Sequence, residues 1–232
     1  MSQDDLRREN ERLRGDLRTV AYRLNHDLRT PLGGIVVAGE MIKEVLAENS
    51  PASEALIQPL FTSADDMSRL LERVSFVIKA SLNETPKSRI EMSEIVAATL
   101  TRLESRILKK KASVLQPPDW PQVEGVRTWL ETVWWNLIAN AVQHGGESPQ
   151  IQLGWDRVAQ GYRFWVRDHG PGLPIEKRGT VFKPFHLLHE TGSGSGLGLP
   201  IVHRLIEMQG GHCGYESPQN GGSCFCFTLP AQ

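Results

Sequence analysis

The sequence predicts two domains: an all-α helical hairpin forming a dimeric four-helix bundle, then an α+β sandwich. Three observations predict this. Apolar residues recur at heptad and helical spacing through the first part of the chain. A Thr85-Pro86 break ends that pattern. Beyond it, helical periods alternate with strand-like runs. The expected boundaries are 1–24 for an N-terminal coiled-coil helix, 25–82 for the hairpin, 83–89 for a linker and 90–232 for the sandwich.

Residues 1–29 carry seven basic and six acidic side chains, a density that suits a solvated coiled-coil exterior. Within them Leu6, Leu13 and Val20 take heptad position d, and Asn10, Leu17 and Leu24 take position a. A single Asn at a fixes a two-stranded register. Pro31, Gly33 and Gly34 weaken the helix, yet the apolar period resumes through Leu32, Ile35, Ile42, Val45 and Leu46. Asn49 to Ser53 is a turn. A second helix follows, with Leu56, Leu60, Met67, Leu70, Val74 and Val77 along one seam. Two such hairpins from two chains make a four-helix bundle, so a homodimer is expected.

After the linker, helices are expected over 92–109, 127–143 and 197–209. Strands are expected over 112–115, 151–155, 162–167, 213–216 and 223–229, in a mostly antiparallel sheet.

The bulk numbers exclude several classes. Lys and Arg total 26 against 27 Asp and Glu, a net charge of -1, which excludes a strongly basic nucleic-acid binder. No apolar run approaches the roughly 18 residues that span a bilayer. The acidic N-terminus does not read as a secretory signal. Three cysteines, Cys213, Cys224 and Cys226, are odd in number and clustered late. They read as buried thiols in a reducing cytoplasm rather than a disulfide framework.

Four segments carry chemistry. In His26-Asp27-Leu28-Arg29-Thr30-Pro31 the imidazole falls at heptad position c, facing water. A free imidazole titrates near 6.5, so a neutral ring nitrogen is available as a nucleophile near pH 7. Asp27 follows directly and can hold the proton of the other ring nitrogen. Asn136 and Asn140 are one turn apart on the 127–143 helix. Two carboxamides on one face offer oxygen to a hard cation and nitrogen to phosphate. Asp168-His169-Gly170-Pro171-Gly172 follows a strand, so the carboxylate can accept from an exocyclic amine while the glycines allow a tight turn. Gly192 to Leu199 alternates four glycines and opens a helix, exposing N–H groups that suit phosphate. It lacks the Lys-Ser or Lys-Thr of a Walker A loop and the spacing of a dinucleotide fingerprint.

In this order the segments resemble a bacterial two-component sensor histidine kinase, from about Leu24 to Leu229. His26 to Pro31 is similar to the H-box, Asn136 to Asn140 to the N-box, and Asp168 to Gly172 to the G1 box. Phe182-Lys183-Pro184-Phe185 resembles the F-box, and Gly194 to Leu199 the G2 box. The resemblance implies a histidine-phosphotransfer hairpin and a gyrase-like (Bergerat) ATP-binding domain. It implies ATP and Mg²⁺ as cofactors, with Asn140 holding the metal beside the phosphates and Asn136 assisting. Asp168 would recognise the adenine amine. Gly170, Gly172, Phe182, Phe185, Gly194, Ser195, Gly196, Leu197 and Gly198 would complete the nucleotide site, with 182–196 as a lid. His26, Asp27 and Thr30 would be catalytic, Thr30 in removing phosphate from the partner. The implied partners are a second copy, the receiver domain of a response regulator and an upstream sensor or input domain. The location implied is cytoplasmic.

Gln143 stands where relatives carry a basic residue, His144 where they carry an aromatic, and Asp27 where Glu is commoner. His186 and His189 fall within the expected lid. Two rivals are an ATP-binding signalling scaffold biased to phosphatase activity and a gyrase-like ATPase. The second needs a catalytic Glu on the Asn helix; Glu131 lies one turn before Asn136, and His26 would be left unexplained.

Overall fold

The computed structural model describes residues 32–37, 39–42, 64, 67, 85–182, 198–218 and 221–231. The chain divides into two compact units, Met1–Glu84 and Thr85–Gln232. In the first, 32–37 and 39–42 are helical, as are Ala64 and Met67. Gly33 and Gly34 lie within that helix and are exposed. Leu32 and Ala64 are buried, whereas Ile35, Val37, Met41, Ile42 and Met67 are exposed. The bundle, the coiled coil and the Asn49 to Ser53 turn otherwise fall outside the described residues.

The second unit opens with β1 (Ser88–Glu91) and α1 (Met92–Lys109). Strand β1 therefore starts inside the stretch expected as linker. It pairs antiparallel with β3 (Gln122–Gly125), a small ribbon the sequence did not reveal. Helix α1 buries Met92, Ile95, Val96, Thr99 and Leu103, a stripe at helical spacing. The one hydroxyl on that stripe is satisfied within the helix, Thr99 Oγ1 donating to Ile95 O at 2.7 Å. Helix α2 (Arg127–His144) is apolar nearly all round, because it packs between α1, α4 (Gly198–Glu207) and the sheet.

The sheet has five strands in the order β2 (Ser113–Leu115), β4 (Gln150–Val158), β5 (Gly161–Asp168), β7 (Ser223–Pro230), β6 (Cys213–Glu216). All neighbours are antiparallel except β2 and β4, which run parallel with Ser113 opposite Gln150. A parallel pair needs a long crossover, and the stretch from β3 through α2 supplies it. Trp134 of α2 meets Phe164 of β5 and Phe227 of β7 edge-on, at ring distances of 6.2 and 5.6 Å. That aromatic cluster fixes α2 against the middle of the sheet. A short helix α3 (Ile175–Arg178) follows β5.

Cys213 lies opposite Phe227, whereas Cys224 and Cys226 alternate with Phe225 and Phe227 and so take the other face. The three thiols are divided between the two faces of the sheet. Burial pushes Cys213 up to about 12 and Cys224 up to about 11, so both stay neutral at physiological pH. Among the described residues no group of His, Cys, Asp or Glu is placed to hold a metal ion. No described helix is long and apolar enough to cross a membrane.

Candidate nucleotide site

Three segments of the second unit converge through contacts only small residues permit. The first is α2. Its buried core face aims Asn136 and Asn140 together, but the two differ. Asn136 is buried (5% exposed), and its Nδ2 donates to Thr132 O at 2.8 Å. That bond fixes the carboxamide and turns Oδ1 toward the start of α4. A Cβ on Gly198, the first residue of α4, would lie 2.8 Å from this Oδ1. Only glycine lets the helix start this close. Asn140, one turn on, is half-buried, and its side chain has no hydrogen-bond partner among the described residues.

The second segment is the turn after β5. Asp168, the last residue of that strand, is 4% exposed. Its Oδ1 accepts from Gly170 N at 2.9 Å and from Ser223 N at 3.3 Å. Its other oxygen has no partner among the described residues. Burial raises the carboxyl above its ordinary range. The two backbone N–H groups and His169 pull it back in part. The turn presses against the end of α2: a Cβ on Gly170 would stand 2.5 Å from His144 O and 2.9 Å from Gly145 Cα.

Gly172 takes φ +74° and packs on Gly222, where a Cβ would meet the Gly222 carbonyl at 2.9 Å. Gly222 itself has φ +85° and lies against the Asp168 carbonyl. The Gly221-Gly222-Ser223 approach to β7 is thus a second wall of the Asp168 turn. Sequence reasoning missed it; two glycines directly before a strand were the available signal. It also missed the clamp on Leu173. The backbone N–H of Leu173 donates to Tyr215 Oη at 3.1 Å, and its carbonyl accepts from Arg178 Nε at 3.0 Å. No sequence pattern marks Tyr215 or Arg178 for that task.

The third segment is α4. It opens at Gly198 and carries Leu199, Ile201, Val202, Leu205 and Ile206 into the core. Its first N–H groups have no helical partner, which suits an anionic ligand. Phe182 lies beside this helix, its ring 5.6 Å from that of His203. The structure therefore sets Gly198 against Asn136, gathers Asp168, Gly170 and Gly172 in one turn at the end of α2, and places Asn140 and Phe182 on the elements that carry them. His26, Asp27, Thr30, Phe185, Gly194, Ser195, Gly196 and Leu197 lie outside the described residues, as do His186 and His189. Gln143 is exposed near the end of α2.

An Asn pair beside a helix N-terminus and a buried carboxylate with one free oxygen suit a purine nucleotide. A carboxylate can accept from an exocyclic amine, and amides and N–H groups can donate to phosphates. The free carboxamide oxygen of Asn140 is a hard donor and fits Mg²⁺.

Known proteins point the same way. Residues 125–232 match the histidine kinase-, DNA gyrase B-, and HSP90-like ATPases. The chain is 30% identical over 228 residues to the alginate biosynthesis sensor protein KinB of Pseudomonas aeruginosa, covering 95% of this chain and 37% of KinB. The solved catalytic domain of histidine kinase ThkA is 28% identical with a TM-score of 0.57, covering 63% of this chain and 96% of that one. Full-length ShkA, solved in complex with AMPPNP, shares the fold at 23% identity and a TM-score of 0.70, covering 92% of this chain and 47% of ShkA. The chain spans 25% to 63% of the length of three curated relatives it matches. Motif order and sheet topology agree with these likenesses: the chain carries a histidine kinase-like catalytic core, similar to that of the two-component sensor histidine kinases.

Proposed function

We propose that the chain phosphorylates itself on His26 with ATP and passes the phosphoryl group to an Asp on a response regulator. The observation that carries the reading is that α2 joins the anchored Asn136, at the start of α4, to the Asp168 turn packed on its own C-terminal end. The His26 to Pro31 motif supports the choice of acceptor.

Asp168 accepts a hydrogen bond from the adenine amine. Asn136 and the start of α4 hold the phosphates. Asn140 would hold Mg²⁺, which when bound neutralises phosphate charge. The unprotonated nitrogen of His26 attacks the γ-phosphorus in line. An N–P bond forms, the bond to the β–γ bridging oxygen breaks and ADP leaves. Asp27 holds the proton on the second ring nitrogen and stabilises the cationic phosphoimidazole. Catalysis is mostly positioning and charge neutralisation. In the second step a receiver carboxylate attacks phosphorus, the N–P bond breaks and the imidazole is restored. Thr30 positions water when phosphate is removed from the regulator.

The reading includes a cytoplasmic homodimer, whose second copy would cover the exposed Ile35, Val37, Met41, Ile42 and Met67. An upstream sensor or input domain would act through residues 1–24. The test is label transfer. Incubation with γ-labelled ATP and Mg²⁺ labels the protein, α-labelled ATP does not, and adding a receiver domain moves the label. Steady ATP hydrolysis without phosphoprotein would favour a gyrase-like ATPase instead.

A further inference from the structure

Helices α2 and α4 meet twice. At one meeting Gly198 touches Asn136. The other lies at the opposite end of α4, where every unpaired helix group must find a partner. There Arg204 O accepts from Met208 N at 3.1 Å, Ile206 O from Gln209 N and Gly211 N at 3.0 Å, and Glu207 O from Gly210 N at 2.9 Å. The Leu205 carbonyl is left over. It accepts from Gln209 Nε2 at 3.0 Å.

The same carboxamide works in the other direction. Val126 leads into α2 and provides no side-chain cap. Its backbone N–H donates to Gln209 Oε1 at 2.9 Å, across 83 residues of sequence. That is the task a Glu or Gln of a capping box performs from within the helix. Here it is performed by a residue of another helix. Gln209 is 1% exposed, and a Cβ on Gly125 would lie 2.8 Å from its Oε1, so the approach depends on glycine. The backbone carbonyl of Gln209 accepts from Lys87 Nζ at 3.0 Å. That places a cation at the C-terminal end of α4, where the helix dipole favours it.

Val126 to Asn136 is about 15 Å at 1.5 Å per residue, and Gly198 to Glu207 of α4 about 14 Å, with Gln209 in the turn just beyond. The two helices form a frame, closed at one end by Gln209 and at the other by the Gly198–Asn136 contact. We propose that Gln209 is a positioning residue for the nucleotide site: its carboxamide sets how α4 lies along α2, and so where the start of α4 meets Asn136. Lys87 ties the chain entering the domain to the same corner. The proposal rests on the nucleotide-site reading above.

The test measures affinity for a fluorescent ATP analogue and thermal unfolding on the full chain. Gln209→Met keeps the volume and loses both hydrogen bonds. Gln209→Glu keeps the acceptor for Val126 N and loses the donor to Leu205 O. Leu103→Ala, in the buried stripe of α1, is the control for lost stability alone. At a temperature where all are folded, Gln209→Met binds at least tenfold more weakly. Gln209→Glu falls between it and the wild type, and Leu103→Ala binds as the wild type does. A folded Gln209→Met with wild-type affinity, or affinity in all three that follows melting temperature alone, overturns the proposal. If Gln209→Met does not fold, the Gln209→Glu and Leu103→Ala pair decides it. A wild type that binds no nucleotide would remove the underlying reading instead.

Discussion

Replacing Gly198 with Ala separates the site from the fold. The added Cβ would lie 2.8 Å from Asn136 Oδ1 and 3.7 Å from its Cγ. Ordinary contact begins near 3.5 Å, so roughly 0.7 Å must be found. Asn136 cannot yield freely, because it is buried and its Nδ2 is held by Thr132 O at 2.8 Å. Breaking that bond costs about 1 kcal/mol, and leaving the rotamer well costs about 0.5–1.5 kcal/mol. Against this, Ala gains up to about 1 kcal/mol over Gly in a helix. The net cost is about 0.5–1.5 kcal/mol. For a domain of this size that is a shift of about 3 °C in melting temperature. The site has no such compensation. A displacement near 1 Å at a positioning group can cost about a hundredfold in rate, and we expect affinity to fall about tenfold. The assay pairs thermal unfolding with titration of a fluorescent ATP analogue. Unchanged affinity in folded Gly198→Ala would refute the reasoning.

Asp168→Asn keeps an oxygen acceptor for Gly170 N and Ser223 N but removes the charge. Because burial raises the Asp168 carboxyl, its contribution to stability is present at acid pH and lost as pH rises through its folded pKa. The variant should melt at or above the wild type at neutral pH, the gap closing toward about pH 4, while ATP-analogue binding is lost. A variant that melts well below wild type at neutral pH would contradict this. Tyr215→Phe keeps the ring against Phe225 but leaves the buried Leu173 N–H unpaired, at a cost of about 1–2 kcal/mol. Melting should fall by about 3–6 °C, and an unchanged curve would count against the clamp. A Cβ on Gly33 or Gly34 meets nothing within 4 Å. The double Ala variant should stiffen the helix and lower autophosphorylation, and an unchanged rate would exclude bending there as a control point.

Helix α1 was legible because its core-facing residues keep the helical period from Met92 to Leu103, about three turns, and the structure returns the expected 92–109 span. Strands β5 and β7 were legible from alternation around Phe164, Val166, Phe225 and Phe227. The β1–β3 ribbon was not, because Gln122-Val123-Glu124-Gly125 buries only Val123 and Gly125 and looks like a loop. The parallel pairing of β2 with β4 was also hidden. It depends on the route of the chain through α2, and no local pattern encodes it. In the site, side chains with their own chemistry were readable: Asn136, Asn140 and Asp168. What holds them was not. Ser223 acts through a backbone N–H, which every residue but proline possesses, and Tyr215 and Gln209 act on residues 42 and 83 positions away.

The most direct test of the central claim is transfer of label from γ-labelled ATP to the wild type and to His26→Gln, each with Mg²⁺. The account predicts an acid-labile, alkali-stable label on the wild type and none on the variant, while both bind the nucleotide equally. Label of the same kind persisting on His26→Gln would contradict it, and so would a nucleotide-bound wild type that takes up no label.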